Sequence, residues 1–244
     1  MSGKASAQKQ TDDKMSGKVT YEETTKFELK LEGEAAMLMR DLPTERKSKK
    51  TLKFTPDAAT YTAEPQPEAD VARHVQAEGV TIAIRMNEPE NVIHTDLKKE
   101  KVTEMREFMT RKFLIDRDFK QHDWKITGNQ KEIAGYACME ATRTDQEGKK
   151  IVVWFAPQIQ IPLGPALYNN LPGMVLEVVE DEGKRVITAK EVLFTDINAK
   201  ELARPADGKK VTAEEFDEIV KEKMKEMGAE SSGGTMRVII RNEE

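Results

Sequence analysis

The side chains best able to act as a nucleophile or a general base are few in this chain. They are the single cysteine, Cys138, and the three histidines, His74, His94 and His122. A thiolate activated by a neighbouring imidazole is a nucleophile for hydrolysis. The histidines lie in separate segments without metal-ligand spacing, and Cys138 shares strand parity with Tyr136, which is typical of a small buried hydrophobe. We therefore expect packing or surface roles for the histidines, and we keep a hydrolase site near Cys138 and Trp154 as an alternative.

Two sets of side chains could bind a metal ion. Asp116, Asp118 and Asp123 carry the oxygen ligands that Ca²⁺ prefers, but they lack the spacing of a calcium loop. Thioether sulfur favours Cu(I), and the twelve methionines include three close pairs: Met37 with Met39, Met105 with Met109, and Met224 with Met227. The last pair falls on the apolar face of a predicted helix, where packing explains it. We expect no metal and no cofactor, and we keep copper handling as a minor alternative.

The composition excludes several classes of protein. Charged residues make up 34% of the chain, but the net charge is only −5 and the pI is about 5.5, which argues against a nucleic-acid partner. The densest basic run, residues 46–50 with Lys53, indicates a solvated turn leading into a strand. No apolar run approaches the ~18 residues that a membrane-spanning helix needs, so we expect no transmembrane segment. The single cysteine cannot form an intramolecular disulfide.

A long proline- and glycine-rich segment follows a predicted strand. Residues 151–155 are a continuous β-branched and aromatic run, which indicates a strand buried on at least one face. Pro157 and Pro162 cannot donate to a sheet, so the chain between them is extended or edge-like. Leu171-Pro172-Gly173-Met174 has the proline and glycine positions of a type II turn. We name residues 157–172 the crossing, and we interpret it either as a corner of a sheet or as the rim of a binding site.

The same stretch resembles the signature of the GLPGLI family of exported bacterial proteins. The hexapeptide stands here as Asn170-Leu171-Pro172-Gly173-Met174-Val175. It keeps the Leu-Pro-Gly core, while Asn replaces the leading Gly and Met-Val replaces the final Leu-Ile. Further similar motifs are Trp154-Phe155-x-Pro157, Ile159-x-Ile161, Gly164-Pro165, Tyr168, Arg106-Glu107-Phe108-Met109, Lys112-Phe113-Leu114-Ile115 and Gly135-Tyr136-x-Cys138. The resemblance spans residues 17–194.

The resemblance implies a location and a set of candidate binding residues, but no catalytic residue. Family members are exported, and some are encoded beside TonB-dependent outer-membrane receptors, which implies an accessory role in uptake. The candidate ligand- or partner-binding residues are those of the matched motif: Trp154, Pro157, Gly164, Pro165, Tyr168, Leu171, Pro172 and Gly173.

The first residues bear on export. Ala5-Ser6-Ala7 before Gln8 has the small-residue pattern of a signal-peptidase site, but no apolar segment precedes it. Because the family is exported, we expect a start codon upstream, a mature chain that begins near Gln8, and a periplasmic location. The alternative is an ordinary polar tail.

Hydrophobic periodicity predicts mostly strands. Apolar residues alternate with polar ones in residues 18–31 and 80–86, which is typical of half-buried strands. Residues 133–144 and 149–155 form the clearest hairpin, with residues 145–148 as its loop. Residues 34–40 indicate a short helix, and residues 64–78 a surface loop with a helical turn at 71–75.

The period changes to that of a helix near the end of the chain. Thr212 and Glu215 form a capping box, and Phe216, Ile219 and Val220 fall on one face of a helix over residues 213–227. Gly228 is a natural helix stop.

The predicted fold is mainly β (α+β), with a large curved antiparallel sheet or open half-barrel and one C-terminal helix packed on it. Residues 1–16 are a disordered tail or signal-peptide remnant, and residues 17–229 form a single β-rich domain. Residues 230–244 form a flexible tail that could add a short strand at 236–241. The oligomeric state stays open.

Two functions follow as hypotheses. The first is a non-enzymatic periplasmic binding or accessory protein that holds an apolar ligand or an outer-membrane receptor on the concave face of the sheet or on the crossing. The second is the hydrolase near Cys138 and Trp154. An apolar cavity or patch would favour the first, and a cluster of perturbed titratable groups in a cleft would favour the second.

Overall fold

The computed structural model describes residues 16–26, 44–65, 72–77, 80–85, 89–119, 122–145, 148–226 and 237–241. The predicted helix at 34–40, Met37, Met39, Met227 and most of both terminal tails lie outside these residues. In the described part of the chain, no helix is long and apolar enough to cross a membrane.

Fifteen strands and one α-helix account for the regular structure of the described residues. The strands are β1 Gly17–Lys26, β2 Glu45–Phe54, β3 Ala58–Ala63, β4 Ala72–Ala77, β5 Val80–Arg85, β6 Asn91–Asp96, β7 Lys101–Phe108, β8 Arg111–Asp118, β9 Lys125–Ile133, β10 Tyr136–Thr144, β11 Lys150–Ala156, β12 Met174–Glu180, β13 Arg185–Phe194, β14 Lys209–Val211 and β15 Arg237–Arg241. The helix, α1, spans Ala213–Glu226, and short 3-10 turns occupy Asp181–Gly183 and Ala199–Leu202.

Twelve of the strands form one open sheet. Their order is β14-β8-β7-β6-β3-β2-β1-β13-β12-β11-β10-β9, and β15-β5-β4 form a small second sheet. Neighbouring pairs are antiparallel except β14 with β8, so the sheet is mixed. The prediction of a mainly β protein with one large sheet and one C-terminal helix is confirmed.

One cavity is lined by side chains from strands that lie far apart in the large sheet. Eight strand-to-strand steps separate β7 from β10, which in a flat sheet would place them on the order of 38 Å apart at about 4.8 Å per step. Yet Arg106 of β7 and Arg143 of β10 line the same cavity. Side chains from distant strands therefore reach the same cavity.

The core lies between the sheet and the crossing. One cluster of buried side chains joins Val19, Tyr21, Leu52, Phe54, Tyr61, Ile93, Val153, Phe155, Leu176 and Ile187 of the strands to Ile159, Ile161, Leu163 and Leu171 of the crossing. The backbone of the crossing turns back on itself, because Asn170 N donates to Pro162 O at 3.0 Å and Val175 N donates to Leu163 O at 2.8 Å. The crossing is thus a layer of the core, held by apolar burial and backbone hydrogen bonds.

Helix α1 packs against strand β8, near one edge of the large sheet, and the prediction of a helix packed on the sheet is confirmed. Its capping box is present: Glu215 N donates to Thr212 Oγ1 at 3.1 Å, and Thr212 N donates to Glu215 Oε2 at 2.8 Å. Phe216 packs edge-on against Phe113 of β8 and is buried with Ile115. The apolar face of α1 therefore packs against the sheet, as its helical period predicts.

Two local predictions were wrong. Residues 72–77, expected in a loop, form strand β4, which pairs with β5. Apolar and polar residues do not alternate strictly in this segment, so its sequence shows no β pattern. Pairing with β5 overrides the local preference. The basic run at 46–50 lies inside β2, where Ser48 and Lys50 are buried. A lysine tolerates such a position because its long apolar stem can be covered while the ammonium group reaches outward.

Candidate functional site

A concavity of the described residues lies between the crossing and strands β6 to β8, and we name it the arginine cavity. Its volume is about 610 Å³. Its lining residues are Asn91, Ile93, Val102, Glu104, Arg106, Arg117, Asp118, His122, Arg143, Asp145, Ala166, Leu167, Tyr168, Asn169 and Arg185. Four arginines and only a few apolar side chains make this a charged cavity.

Strand geometry explains how β7 supplies its wall. Val102, Glu104 and Arg106 alternate along β7 and therefore project from the same face. Antiparallel pairing sets Asn91 of β6 opposite Arg106, and Arg117 of β8 opposite Val102. Three adjacent strands thus place polar side chains side by side.

Glu104 is the centre of this wall. Its side chain is fully buried, with Arg117 Nη2 3.3 Å from Oε2 and Arg106 Nε 2.6 Å from Oε1. The Arg106 contact is an ion pair without hydrogen-bond alignment, since Oε1 has no hydrogen-bond partner among the described residues. One buried carboxylate is therefore shared by two guanidinium groups, an arrangement that avoids an uncompensated buried charge.

A second ion cluster closes the side of the cavity formed by β13. Arg185 Nε lies 2.7 Å from Glu23 Oε1, and Arg185 Nη1 lies 2.7 Å from Glu180 Oε1. The hydroxyl of Tyr168 donates to the same Glu180 oxygen. Arg185 therefore has two carboxylate partners of its own.

The pKa values of this cluster are shifted in the direction that keeps the ion pairs. Burial opposes the charge of Arg185, but Glu23 and then Glu180 outweigh it and raise the pKa of the guanidinium. Burial would likewise raise the pKa of Glu23, but Arg185, with Lys50 and Arg46, lowers it overall. Burial, followed by the charge of Glu180, raises the pKa of Tyr168, so the phenol stays protonated.

The third group of polar side chains is incompletely paired. Arg143 Cζ lies 5.2 Å from the centroid of the Trp124 ring, and Trp124 Nε1 donates to Asn169 O at 3.1 Å. No described carboxylate forms an ion pair with Arg143. The buried atoms with no hydrogen-bond partner among the described residues include Arg143 Nε, Arg117 Nε, Asn169 Oδ1 and Asn91 Oδ1. Such atoms are rare in folded proteins unless water or a ligand satisfies them.

Of the eight predicted site residues, one lines this cavity. That residue is Tyr168. The others have these positions: Gly164, Pro165, Leu171 and Gly173 are buried, Pro157 and Trp154 are half-buried, and Pro172 is exposed. Trp154 instead carries Lys131 Nζ 4.3 Å above its ring. The structure does not bring the motif together around one site.

Packing explains the two glycines of the motif. A Cβ on Gly164 would lie 2.5 Å from Tyr168 O, and one on Gly173 would lie 2.3 Å from Ala156 O. Gly173 also has a φ of +152°. These positions therefore require glycine for close approach of backbone to backbone.

The predicted type II turn is wrong in its hydrogen bonding. Gly173 N donates to Leu171 O at 2.7 Å, which closes a tighter three-residue turn around Pro172. Met174 N donates to Ile159 O at 3.0 Å rather than to Leu171 O. Ile159 O of the crossing thus accepts the hydrogen bond that Met174 N would donate to Leu171 O in a type II turn.

The geometry does not support the Cys138 nucleophile. Cys138 is fully buried, and its thiol donates to Tyr136 O at 3.4 Å. Burial raises the pKa of Cys138 to about 11, which disfavours the thiolate. His94 lies elsewhere, with Nδ1 3.5 Å from Thr60 Oγ1, and His122 packs edge-on against Trp124. The expectation of a small buried hydrophobe at Cys138 holds.

Several of the candidate metal ligands are paired with protein cations or packed in the core. Asp116 accepts from Arg204 Nη2 at 2.7 Å and Asp118 pairs with Lys101. Met105 is buried, and Met109 lies exposed in the turn after β7. Within the described ranges, no three His, Cys, Asp or Glu side chains come close enough to hold a metal ion.

Among the residues that line the arginine cavity, Tyr168 was predicted as a binding residue, Asp118 and His122 were considered in other roles, and the binding role of the rest was missed. One feature of the sequence could have indicated the site: the charged residues Glu104 and Arg106 lie on the same face of β7 as the apolar Val102. Asn91, Arg143 and Asn169 gave no signal, because strands distant in the chain bring them together.

Comparison with solved structures shows a likeness of fold. Two crystal forms of PNGF-II match with TM-scores of 0.57 and 0.54 at 13% and 15% identity, each covering 85% of this chain. The chain spans only 33% of the length of PNGF-II. An uncharacterised conserved protein from Thermus thermophilus matches at a TM-score of 0.41 and 8% identity, over 81% of this chain and 90% of its own. No protein-family model matches the chain, and no curated protein matches it. At these identities the likeness concerns the fold alone.

Proposed function

We propose that this protein is a non-enzymatic binding protein that holds a small ligand in the arginine cavity. The observation that carries the proposal is the set of buried polar atoms without described partners on the wall of a cavity of about 610 Å³. Small-molecule sites typically have volumes of about 300–1,000 Å³ and a few convergent polar groups. A ligand would supply the hydrogen bonds that the described residues leave unmade.

The cellular part of the proposal is an accessory role in the periplasm beside an outer-membrane receptor. Its support is the resemblance of the crossing to the exported GLPGLI family. Of the occupants expected from the sequence, an apolar ligand is the less favoured, because the cavity wall carries the charges of Glu104 and four arginines. A polar ligand suits this wall better.

Binding without chemistry is favoured by the way the titratable groups are paired. Arg185 is engaged by Glu23 and Glu180, and Glu104 by Arg106 and Arg117. Among the described residues, the carboxylates of both clusters are engaged by arginines, which lowers their availability as general bases. These pairings favour binding of a ligand over proton transfer.

Native mass spectrometry of the protein purified from its own periplasm tests the proposal. We expect a non-covalent adduct that denaturation releases. Hydrogen exchange should then show protection by the adduct in β6, β7 and residues 166–169, and none in β9 at the far edge of the sheet. A bare mass, or protection confined to β9, would contradict ligand binding in this cavity.

A further inference from the structure

We infer that the ligand of the arginine cavity is a small organic anion whose oxyanion group, a carboxylate or a phosphate, pairs with Arg143. This inference rests on the proposed function and names the chemical class of the ligand. Three observations carry it: the balance of charge on the wall, the state of Arg143, and the buried amide oxygens beside it.

The first observation is that the wall carries more guanidinium groups than carboxylates, four against three. Arg106 and Arg117 share the single carboxylate of Glu104. Arg143 adds a third guanidinium. Of the two other carboxylates of the wall, Asp118 pairs with Lys101, whereas Asp145 accepts from the neutral backbone Lys149 N at 2.8 Å and keeps its charge. Partly desolvated cations without an anion are unfavourable, so an anionic ligand would stabilise the site.

The second observation is the position of Arg143. The Trp124 ring lies 5.2 Å from its Cζ atom and restricts the guanidinium by stacking. Its Nε is buried and has no hydrogen-bond partner among the described residues. A guanidinium held in this way presents the planar set of donors that matches a carboxylate or a phosphate in two parallel hydrogen bonds.

The third observation concerns hydrogen-bond donors on the ligand. Asn169 is only 6% exposed, and its Oδ1, like that of Asn91, is buried without a described partner. Both residues line the cavity. An amide oxygen accepts hydrogen bonds, so the ligand should carry hydroxyl or amine groups in addition to its anionic group. A hydroxylated acid meets both requirements, whereas a fatty acid meets only the first.

Calorimetric titration with a matched pair of probes tests the inference. Glucuronate and methyl glucoside share a hydroxylated ring, and only glucuronate carries a carboxylate. Citrate and inorganic phosphate, as further probes, distinguish a carboxylate from a phosphate requirement. We expect at least one of the three anions to bind, with an affinity that falls as the salt concentration rises, and methyl glucoside to bind roughly tenfold more weakly or not at all.

Variants locate the binding. Arg143→Met, which keeps the apolar stem, should weaken binding of the anion by roughly tenfold or more, and Arg143→Lys by less. Arg111→Met is the matched control, because Arg111 is exposed at the start of β8 and does not line the cavity; its affinity should equal that of the wild type. Circular dichroism and thermal unfolding show whether each variant is folded. A folded Arg143→Met with unchanged affinity would overturn the inference.

The outcomes separate this inference from the proposed function. A neutral or apolar adduct in native mass spectrometry, or equal binding of methyl glucoside and glucuronate, would overturn the anion while leaving a binding protein. The absence of any adduct, together with no binding of the four probes, would overturn both.

Discussion

The hydroxyl of Tyr21 donates a 2.7 Å hydrogen bond to the backbone oxygen of Val175, a residue 154 positions further along the chain. Tyr21 belongs to β1 and Val175 to β12, and β13 lies between these strands. The bond therefore joins the centre of the sheet to the strand that begins where the crossing ends.

Tyr21→Phe should lower the free energy of unfolding by about 1–3 kcal/mol, because it removes this bond and leaves a buried carbonyl oxygen short of one donor. The measurement is denaturation by urea. Tyr136→Phe is the control, since Tyr136 is only half-buried, and it should change stability by less than about 0.5 kcal/mol. Equal losses in the two variants would show that the Tyr21 bond adds nothing beyond packing.

Gly173→Ala should destabilise the protein by about 3 kcal/mol or more. The new Cβ would lie 2.3 Å from Ala156 O at a φ of +152°, so both the contact and the backbone conformation are unfavourable. Gly148→Ala is the control: its φ is +81° but nothing lies within 4 Å of the new Cβ. Thermal and urea unfolding of both variants should give a loss of only about 1–2 kcal/mol for Gly148→Ala. A Gly173→Ala variant as stable as the control would contradict the close approach.

The ion pair between Glu23 and Arg185 should make stability depend on pH on the acid side. The pKa of Glu23 in the folded protein is below its ordinary value of 4.5. Its contribution is therefore fully present above that value and is lost as the pH falls through the lower folded pKa. The comparison is the free energy of unfolding of the wild type and Glu23→Gln from about pH 7 to about pH 2.5, a range that spans the ordinary pKa of 4.5.

We expect the wild type to exceed Glu23→Gln by a constant amount down to about pH 5, and the difference to shrink below that. Lys190 pairs with the neighbouring but more exposed Glu22 at 3.0 Å, so Glu22→Gln serves as a control with a difference near zero at every pH. A difference for Glu23→Gln that stays constant to the acid end of the range would exclude a lowered pKa.

Cys138 should react slowly with iodoacetamide in the folded protein. Its thiol is buried and its pKa is raised to about 11, so near pH 8 little thiolate forms and the reagent has no access. Mass spectrometry of timed samples should show alkylation that becomes rapid in urea. Fast labelling of the folded protein would instead favour the hydrolase site near Cys138 and Trp154.

The parts of the fold that were predicted from the sequence are those governed by neighbouring residues. The hairpin of β10 and β11 and the capping box of Thr212 with Glu215 depend on a turn or on one helical turn, and both are confirmed. Strand β4 was missed because its partner β5 decides its conformation.

The candidate site was largely unpredictable because it depends on pairings between distant strands. The proline and glycine residues of the crossing drew attention to Gly164, Leu171 and Gly173, whose role in the structure is packing. The arginine cavity instead depends on Arg106 and Arg143, which strand order alone would place far apart. The one local indication of the site was a charged residue, Glu104, on the buried face of a strand.

The central position of β1 has a consequence for synthesis of the chain on the ribosome. Its residues pair on one side with β2, which follows soon after, and on the other with β13, whose pairing runs from Phe194 opposite Gly17 to Arg185 opposite Thr25. Until residues 185–194 have been translated, one edge of β1 has no native partner, and exposed strand edges promote association between nascent chains. Completion of the sheet must wait for this late pairing, which predicts slow folding dominated by contacts of high sequence separation.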